Sequence, residues 1–295
     1  MLLAVPNVSE GRDLESVSRL GAAFDAAGVT LLDIHTDPDH NRAVFTLAGE
    51  PGPLADALLS GAAAAIEAID MRKHHGVHPC VGALDVCPVV WLDGNDREAA
   101  EAEALTVAEG IGRLGVPVFL YGDLASGPGR SERSLFRRGG VPELTLRMGT
   151  GELPPDRGPA APHPTAGATL VTARPPLAAF NIVLDSADPD VARSVAAQLR
   201  EGGGGLAGVR AIGRALADGR TQVSANVHDP AATPLGRVVS EVRRLAGRHG
   251  ARPIAAEVVG LVPEAALVAY PDDVPIAGFD PERHVIERRL ASLRG

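Results

Sequence analysis

Three histidines within five positions form the densest group of reactive side chains in the sequence. They lie in the segment Arg72-Lys73-His74-His75-Gly76-Val77-His78-Pro79-Cys80. A free imidazole has a pKa near ~6.5, so it can accept and return a proton at neutral pH. The segment therefore predicts a general acid/base, and histidines exposed in a surface turn are the plain structural alternative.

A zinc site is the competing interpretation of this segment. His74 and His78 lie four positions apart, a spacing that places two ligands on one face of a helix. Gly76 and Pro79 disfavour a helix here, and no Glu stands between the two histidines as in zinc peptidases. We therefore expect no metal, and a metal-assisted hydrolase using His74, His78 and His35 is a minor hypothesis.

Two further motifs in the sequence do not support the chemistry that they suggest. Gly110-Ile111-Gly112-Arg113-Leu114-Gly115 matches GxGxxG, but it ends a predicted helix and precedes a predicted strand, the reverse of the order in a dinucleotide site. Cys80 and Cys87 do not form a CxxC redox pair, and two cysteines exclude a disulfide framework. We expect both to be free thiols, with at least one packed inside.

The elements that must position the histidines follow a regular alternation. Apolar or alternating runs predict strands at 2–5, 29–34, 42–47 and 81–90. Asp13 is expected to cap one helix, and Pro53 to open a second. The predicted order of this first part of the chain is β-α-β-β-α-β.

The same order returns in the second half of the chain. Strands are predicted at 177–184, 209–212, 221–227 and 254–259. Asp188 and Thr233, each followed by Pro, are expected to cap the intervening helices. Between the halves we expect a helix at 99–114, a strand at 116–121, and a Pro/Gly-rich loop at 149–167.

Two such units predict an α+β protein with two ferredoxin-like βαββαβ subdomains, 1–175 and 176–295. Each would carry its helices on one face of a mainly antiparallel sheet. The length of 295 residues agrees, because single domains cluster near ~100–150 residues. We expect the ligand to bind in a channel between the two subdomains.

Composition narrows the classes of partner. A net charge of −9 and 3% aromatic residues disfavour a nucleic-acid binder. No run approaches the ~20 apolar residues of a membrane helix, and the first residues lack the basic region of a signal peptide. We expect a cytoplasmic protein with no membrane partner, in which any anionic ligand is held by a local Arg or His cluster.

Seven short motifs, taken in order, resemble the glutamate formimidoyltransferase family and run from residue 3 to about 265. They are Val5-Pro6-Asn7-Val8-Ser9-Glu10-Gly11; Asn41-Arg42 to Gly49; His74-x-Gly-x-His78-Pro79 with Gly82-Ala83-Leu84-Asp85-Val86-Cys87-Pro88; Val116-Pro117-Val118 to Tyr121-Gly122; Asp156 to Pro159; Gln222-Val223-Ser224; and Glu257-Val258-Val259-Gly260-Leu261-Val262-Pro263.

The resemblance implies a reaction, a fold and a base. The family moves a formimidoyl group from N-formimidoyl-L-glutamate to N5 of tetrahydrofolate, in histidine degradation and one-carbon metabolism. It is built from two α/β subdomains with the folate in a channel between them. By this resemblance His78 is the catalytic histidine, which takes the N5 proton and returns it to the leaving nitrogen.

The resemblance also implies where the partners bind. Tetrahydrofolate is the acceptor substrate, and both substrates are small molecules. Assembly of the chain into a homodimer is a further hypothesis. The folate lies along the loop that matches Gly158, Pro159, Ala160, Ala161, Pro162, His163, Pro164, Thr165, Ala166 and Gly167. Glycines in this loop let backbone N–H groups approach a flat ring.

Three positions depart from the family's pattern. Cys80 stands where the family usually has Arg, which removes a bidentate carboxylate grip, so Cys80→Arg is expected to improve use of the donor. His35 stands where relatives carry an acid near the catalytic histidine, and Arg157 replaces Phe. Arg42, Arg157, His35 and Cys80 are the expected substrate-binding positions. The alternative is a folate-binding paralogue with altered or lost catalysis.

Overall fold

The computed structural model describes residues 1–76 and 79–293. The chain forms two compact units, Met1–Pro175 and Pro176–Gly295, and each has its own sheet and core. Helices and sheets are combined in both units, which confirms the predicted α+β class. Within the described ranges, no helix is long and apolar enough to cross a membrane.

The first unit is built on one sheet of seven strands. Its strands are β1 (Leu2–Ala4), β2 (Asn7–Val8), β3 (Val29–Asp37), β4 (Arg42–Gly49), β5 (Leu84–Val90), β6 (Val118–Leu120) and β7 (Thr169–Arg174), and its helices are α1 (Leu14–Phe24), α2 (Pro53–Ala68), α3 (Arg97–Arg113), α4 (Arg133–Arg137) and α5 (Gly140–Gly149). Across the sheet the order is β3, β4, then β1 and β2 end to end, then β5, β7 and β6.

Strand alternation separates an apolar face from a polar one. In β4, Ala43, Phe45 and Leu47 belong to the core that also contains apolar residues of α1, α2 and α3. Because successive side chains of a strand point to opposite faces, Arg42 and Thr46 project from the other face. That second face therefore carries the polar residues of β4.

Helices α4 and α5 cover the second face at the β5, β7 and β6 end of the sheet. A separate apolar cluster joins Val86, Phe119 and Leu170 of these strands to Phe136 and Leu144 of the two helices. Strand β7 pairs in parallel with both β5 and β6. This parallel pairing differs from the mainly antiparallel sheet that the sequence predicts. The sequence patterns also predict none of α4, α5 and β7.

The second unit has a four-stranded antiparallel sheet in the order β11, β8, β10, β9. The elements are β8 (Ala178–Leu184), α6 (Pro189–Leu199), β9 (Val209–Ala215), β10 (Thr221–Val227), α7 (Leu235–Gly247), β11 (Pro253–Val258), α8 (Pro281–His284) and α9 (Ile286–Ala291). Alternate residues of β8, including Phe180 and Ile182, pack with Val195 of α6 and Val238 of α7.

Two of the three predicted helix caps are confirmed. The Asp13 carboxylate accepts from the backbone N–H groups of Glu15 and Ser16, and Asp188 accepts from Asp190 N–H. The predicted Thr233 cap is wrong, because α7 begins one residue later with Pro234 at the N-cap position. The Thr233 hydroxyl donates to the carbonyl of Ala207 instead, at 3.3 Å.

Candidate active site

The histidine segment connects α2 to β5 in the first unit. His78, the predicted catalytic base, and Val77 lie outside the described residues. The flanking residues line an open cavity of about 370 Å³ together with the start of α5. The lining residues are Met71, His74, His75, Gly76, Pro79, Cys80, Val141 and Pro142.

Asn41 holds the histidine segment against the beginning of β4. Its side-chain amide nitrogen lies 3.3 Å from His74 Nδ1 and donates to the His75 carbonyl at 3.3 Å. Its amide oxygen accepts from Gly11 N–H at 3.1 Å. Asn41 has a φ of 49°, in the left-handed region that Asn tolerates better than most residues. Burial lowers the pKa of His74, so its imidazole is neutral at pH 7.

Gly76 allows the close approach of the segment to the turn between β3 and β4. A Cβ at Gly76 would lie 2.3 Å from the carbonyl oxygen of His40, so only glycine fits there. His40 itself is buried, its Nδ1 contacts the Asp37 carboxylate, and its backbone N–H donates to Asp37 at 2.9 Å. Burial acts to raise the pKa of Asp37, but the hydrogen bonds from His40 outweigh it and lower this pKa below its ordinary value.

Cys80 is a neutral thiol at physiological pH. Burial and the Asp85 carboxylate raise its pKa to about 11, against opposing effects of Ser9, Arg137 and Arg42. Because the thiolate is the reactive form, this position is not a nucleophile. Cys80 is therefore within electrostatic range of the charged side chains of Asp85, Arg137 and Arg42.

Two of these charges belong to a group of half-buried arginines, Arg42, Arg133 and Arg137, which we call the arginine cluster. Arg137 forms an ion pair with Asp85, whose other carboxylate oxygen accepts from Val81 N–H at 2.8 Å. Burial, together with the charge of Arg137, lowers the pKa of Arg42 to about 10. Burial also lowers the pKa of Arg133. The motifs in the sequence do not point to Arg133 or Arg137, although their spacing of four in a helix places both on one face.

The two other predicted substrate-binding residues, His35 and Arg157, lie on different elements of the first unit. His35 pairs with Val44 in the β3–β4 ladder, and alternation places it on the same face as Asp37 and Arg42. Arg157 belongs to the loop after α5, where its Nε lies 3.1 Å from Glu109 of α3. The structure thus brings Arg42 and Cys80 together and gives Arg157 a carboxylate partner on α3.

The predicted folate loop, 158–167, is fixed to both ends of the histidine segment. Met71 N–H donates to the Thr165 carbonyl at 2.7 Å, and Ala83 N–H donates to the Ala166 carbonyl at 2.9 Å. Within the loop, His163 Nδ1 accepts from Thr165 and Ala166 N–H. Gly167 has a φ of 70°, and a Cβ there would lie 2.1 Å from the Val81 carbonyl oxygen. The first residues of the loop are exposed, so their backbone is accessible to a ligand.

The stretch between α5 and the loop 158–167 is anchored through Asp156. The Asp156 carboxylate accepts from Leu120 N–H at 2.8 Å and pairs with Arg130 at 3.0 Å. The Arg130 guanidinium lies over the rings of Phe119 and Phe136. Among the described residues, no group of three or more His, Cys, Asp or Glu side chains is arranged to hold a metal ion.

Comparison with known proteins finds similarity along nearly the whole chain. The model of the formiminotransferase domain, N-terminal subdomain, matches residues 1–174, and that of the formiminotransferase domain matches residues 179–272. The chain is 39% identical over 293 residues to a glutamate formimidoyltransferase of Streptococcus pyogenes serotype M1, with 97% of both chains covered. It is 36% identical to the glutamate formimidoyltransferase of Thermoplasma acidophilum, covering 97% of this chain and 96% of that one. It is 38% identical to the formimidoyltransferase-cyclodeaminase of Sus scrofa, covering 90% of this chain and 50% of that one.

Proposed function

Because the chain belongs to the formiminotransferase family, we propose that it is a glutamate formimidoyltransferase. It would move the formimidoyl group from N-formimidoyl-L-glutamate to N5 of tetrahydrofolate, a one-carbon transfer in histidine degradation. The observation that carries this proposal is the 39% identity to a relative of that name over 97% of both chains. The folate is a substrate of this reaction, and we propose that the transfer needs no metal.

The reaction sets clear demands on the site. N5 of tetrahydrofolate attacks the amidine carbon, the new C–N bond forms, and the bond from that carbon to the glutamate nitrogen breaks. N5 loses a proton, and the departing glutamate nitrogen gains one. One imidazole that accepts the first proton and donates the second serves both steps, which typically contributes ~10²–10⁴-fold to the rate.

We assign this proton transfer to His78, on the resemblance of the His-Pro motif. Supporting features are the contacts that fix its flanking residues: Asn41 on His74 and His75, and the close fit of Gly76 to His40. The cavity beside Cys80 adjoins this segment, and the end of the loop 158–167 is hydrogen-bonded to Met71 and Ala83 on either side of it. We propose that this loop binds the folate, and that Arg42, Arg157, His35 and Cys80 contribute to the donor site.

The organisation of the whole chain is proposed on similar grounds. We propose that 1–175 and 176–295 are the N- and C-terminal subdomains, because the two family models match 1–174 and 179–272. Strand order β11-β8-β10-β9 supports a ferredoxin-like second subdomain. A ligand channel between the subdomains, a homodimer and a cytoplasmic location stay predictions from the sequence.

A turnover assay tests the function. The purified chain is mixed with N-formimidoyl-L-glutamate and tetrahydrofolate, and glutamate and 5-formimidoyltetrahydrofolate are measured together. We expect the two products in equal amounts, with none when either substrate is omitted. Tight folate binding without turnover would instead identify a paralogue that has lost catalysis, which the change to Cys80 allows.

A further inference from the structure

One turn of α4 carries two arginines whose side chains reach into the same buried region. Arg133 and Arg137 are four positions apart, about 6 Å along the helix, so both lie on one face. Arg137 pairs with Asp85 at the start of β5, and the guanidinium carbon of Arg133 lies 5.9 Å from the centre of the Tyr121 ring. Both guanidinium groups therefore lie over the second face of the sheet.

We infer that Arg133 and Arg137 bind the carboxylates of the formimidoyl donor, and that Arg42 completes this site. The inference rests on the proposed function for the identity of the donor, whose glutamyl group is a dicarboxylate. Guanidinium groups suit this task because their planar N–H donors match a carboxylate in a bidentate manner. The site would thus select donors that carry two carboxylates.

The balance of charge in the cluster favours a bound anion. The carboxylates of Asp37 and Asp85 act on Arg42, and those of Asp85 and Glu132 act on Arg133, while the guanidinium groups also act on one another with like charge. Asp37 is already held by hydrogen bonds from His40. Like charge among close guanidinium groups is costly away from water, and a dicarboxylate in this region would offset it.

Arg137 also has an unused donor. Its side chain is only 9% exposed, and one guanidinium nitrogen, Nη2, is paired with Asp85. Its Nε is buried and has no hydrogen-bond partner within the described part of the chain. Because a buried N–H without a partner is destabilising, a ligand oxygen at this position would be favoured.

The cluster lies beside the segment that carries the proposed base. The charges of Arg137 and Arg42 act on the thiol of Cys80, which follows His78 by two positions. Helix α5, directly after α4, contributes Val141 and Pro142 to the cavity next to that segment. A donor held by α4 would therefore place its formimidoyl group near the histidine segment.

Equilibrium binding of two small acids tests the inference without requiring turnover. Glutarate has both carboxylates of glutamate, and glutaramate replaces one with a neutral amide. Their dissociation constants are measured by calorimetry on the full chain and on three variants, Arg137→Lys, Arg133→Gln and Arg138→Gln. Arg138 is the matched control, because it neighbours Arg137 but its side chain is 63% exposed. Arg137→Lys keeps the charge that pairs with Asp85, and thermal melting verifies that each variant is folded.

We expect the wild-type chain to bind glutarate at least tenfold more tightly than glutaramate. Arg137→Lys and Arg133→Gln should each reduce this preference at least fivefold, while Arg138→Gln keeps it. In turnover, the same two variants should raise KM for the donor and leave KM for tetrahydrofolate unchanged.

Two results would overturn the inference. One is a wild-type chain that does not distinguish glutarate from glutaramate, and the other is an unchanged preference in both α4 variants. A chain that binds glutarate through these arginines but transfers no formimidoyl group would contradict the proposed function and leave the dicarboxylate site in place.

Discussion

Cys80 illustrates how neighbouring charges decide the effect of a single residue. This thiol stands where the family usually has an arginine. The sequence therefore predicts that a guanidinium at this position would bind the donor more tightly. In the structure, Arg42 and Arg137 already act on the Cys80 side chain. The positive charge that the family supplies at this position is therefore present from other elements.

Cys80→Arg should accordingly lower kcat/KM for N-formimidoyl-L-glutamate, by about tenfold or more. A further guanidinium would meet the like charges of Arg42 and Arg137 in a partly buried region, and such juxtaposition costs several kcal/mol. Steady-state kinetics with the donor as varied substrate measure the effect.

The neutral substitution Cys80→Ala provides the control: it removes the uncharged thiol without adding charge, so its kcat/KM should fall less than that of Cys80→Arg. A tenfold gain from Cys80→Arg would instead restore the expectation drawn from the sequence and remove Arg42 and Arg137 from the donor site.

At the scale of elements, a buried carboxylate joins two helices of the first unit. Helix α2 begins after Gly52, which has no side chain to cap it. Glu103 of α3 takes over this role: its carboxylate accepts from Gly52 N–H at 2.9 Å and from Ala55 N–H at 2.7 Å. The carboxylate also meets the positive end of the helix dipole.

Glu103→Ala should therefore lower the free energy of unfolding by about 1–3 kcal/mol, since it leaves the buried N–H of Ala55 and the partly buried N–H of Gly52 without this acceptor. Glu103→Gln keeps one acceptor oxygen and should cost less. Urea denaturation of the two variants measures both values. The exposed Glu98, also on α3, gives the control: Glu98→Ala should change stability by less than about 1 kcal/mol. Equal losses at both positions would show that Glu103 does not act as a cap.

These elements also show what a sequence can and cannot predict. The caps at Asp13 and Asp188 are local, because the side chain and the N–H groups it serves lie within three positions. Glu103 serves a helix that begins far back in the chain, so no local pattern reveals it. Helix α4 has only five residues, too few for a clear period, and β7 is defined by parallel pairing with distant strands.

The candidate site follows the same division. The histidine segment and the loop 158–167 are visible as motifs, and the structure joins them through Met71 and Ala83. Arg133 and Arg137 are absent from those motifs, because only the packing of α4 on the sheet brings them to Asp85 and Tyr121. These two residues of the proposed donor site are therefore apparent only from long-range packing.

At the scale of the whole molecule, each unit has a complete core and sheet of its own. Segments 1–175 and 176–295, expressed separately, should therefore each fold, as monitored by circular dichroism and cooperative melting. If folate binds in a channel to which both contribute, neither segment alone should match the tetrahydrofolate affinity of the full chain. Full affinity in either one would contradict the proposed channel.

The central claim is that this chain transfers a formimidoyl group with His78 as the proton carrier. The most direct measurement compares single-turnover rates of the wild-type chain, His78→Ala and the neighbouring control His75→Ala, alongside their affinities for tetrahydrofolate. We predict that His78→Ala loses at least about 100-fold in rate, while its folate affinity and the rate of His75→Ala change little. Transfer by His78→Ala at more than about a tenth of the wild-type rate would contradict the account.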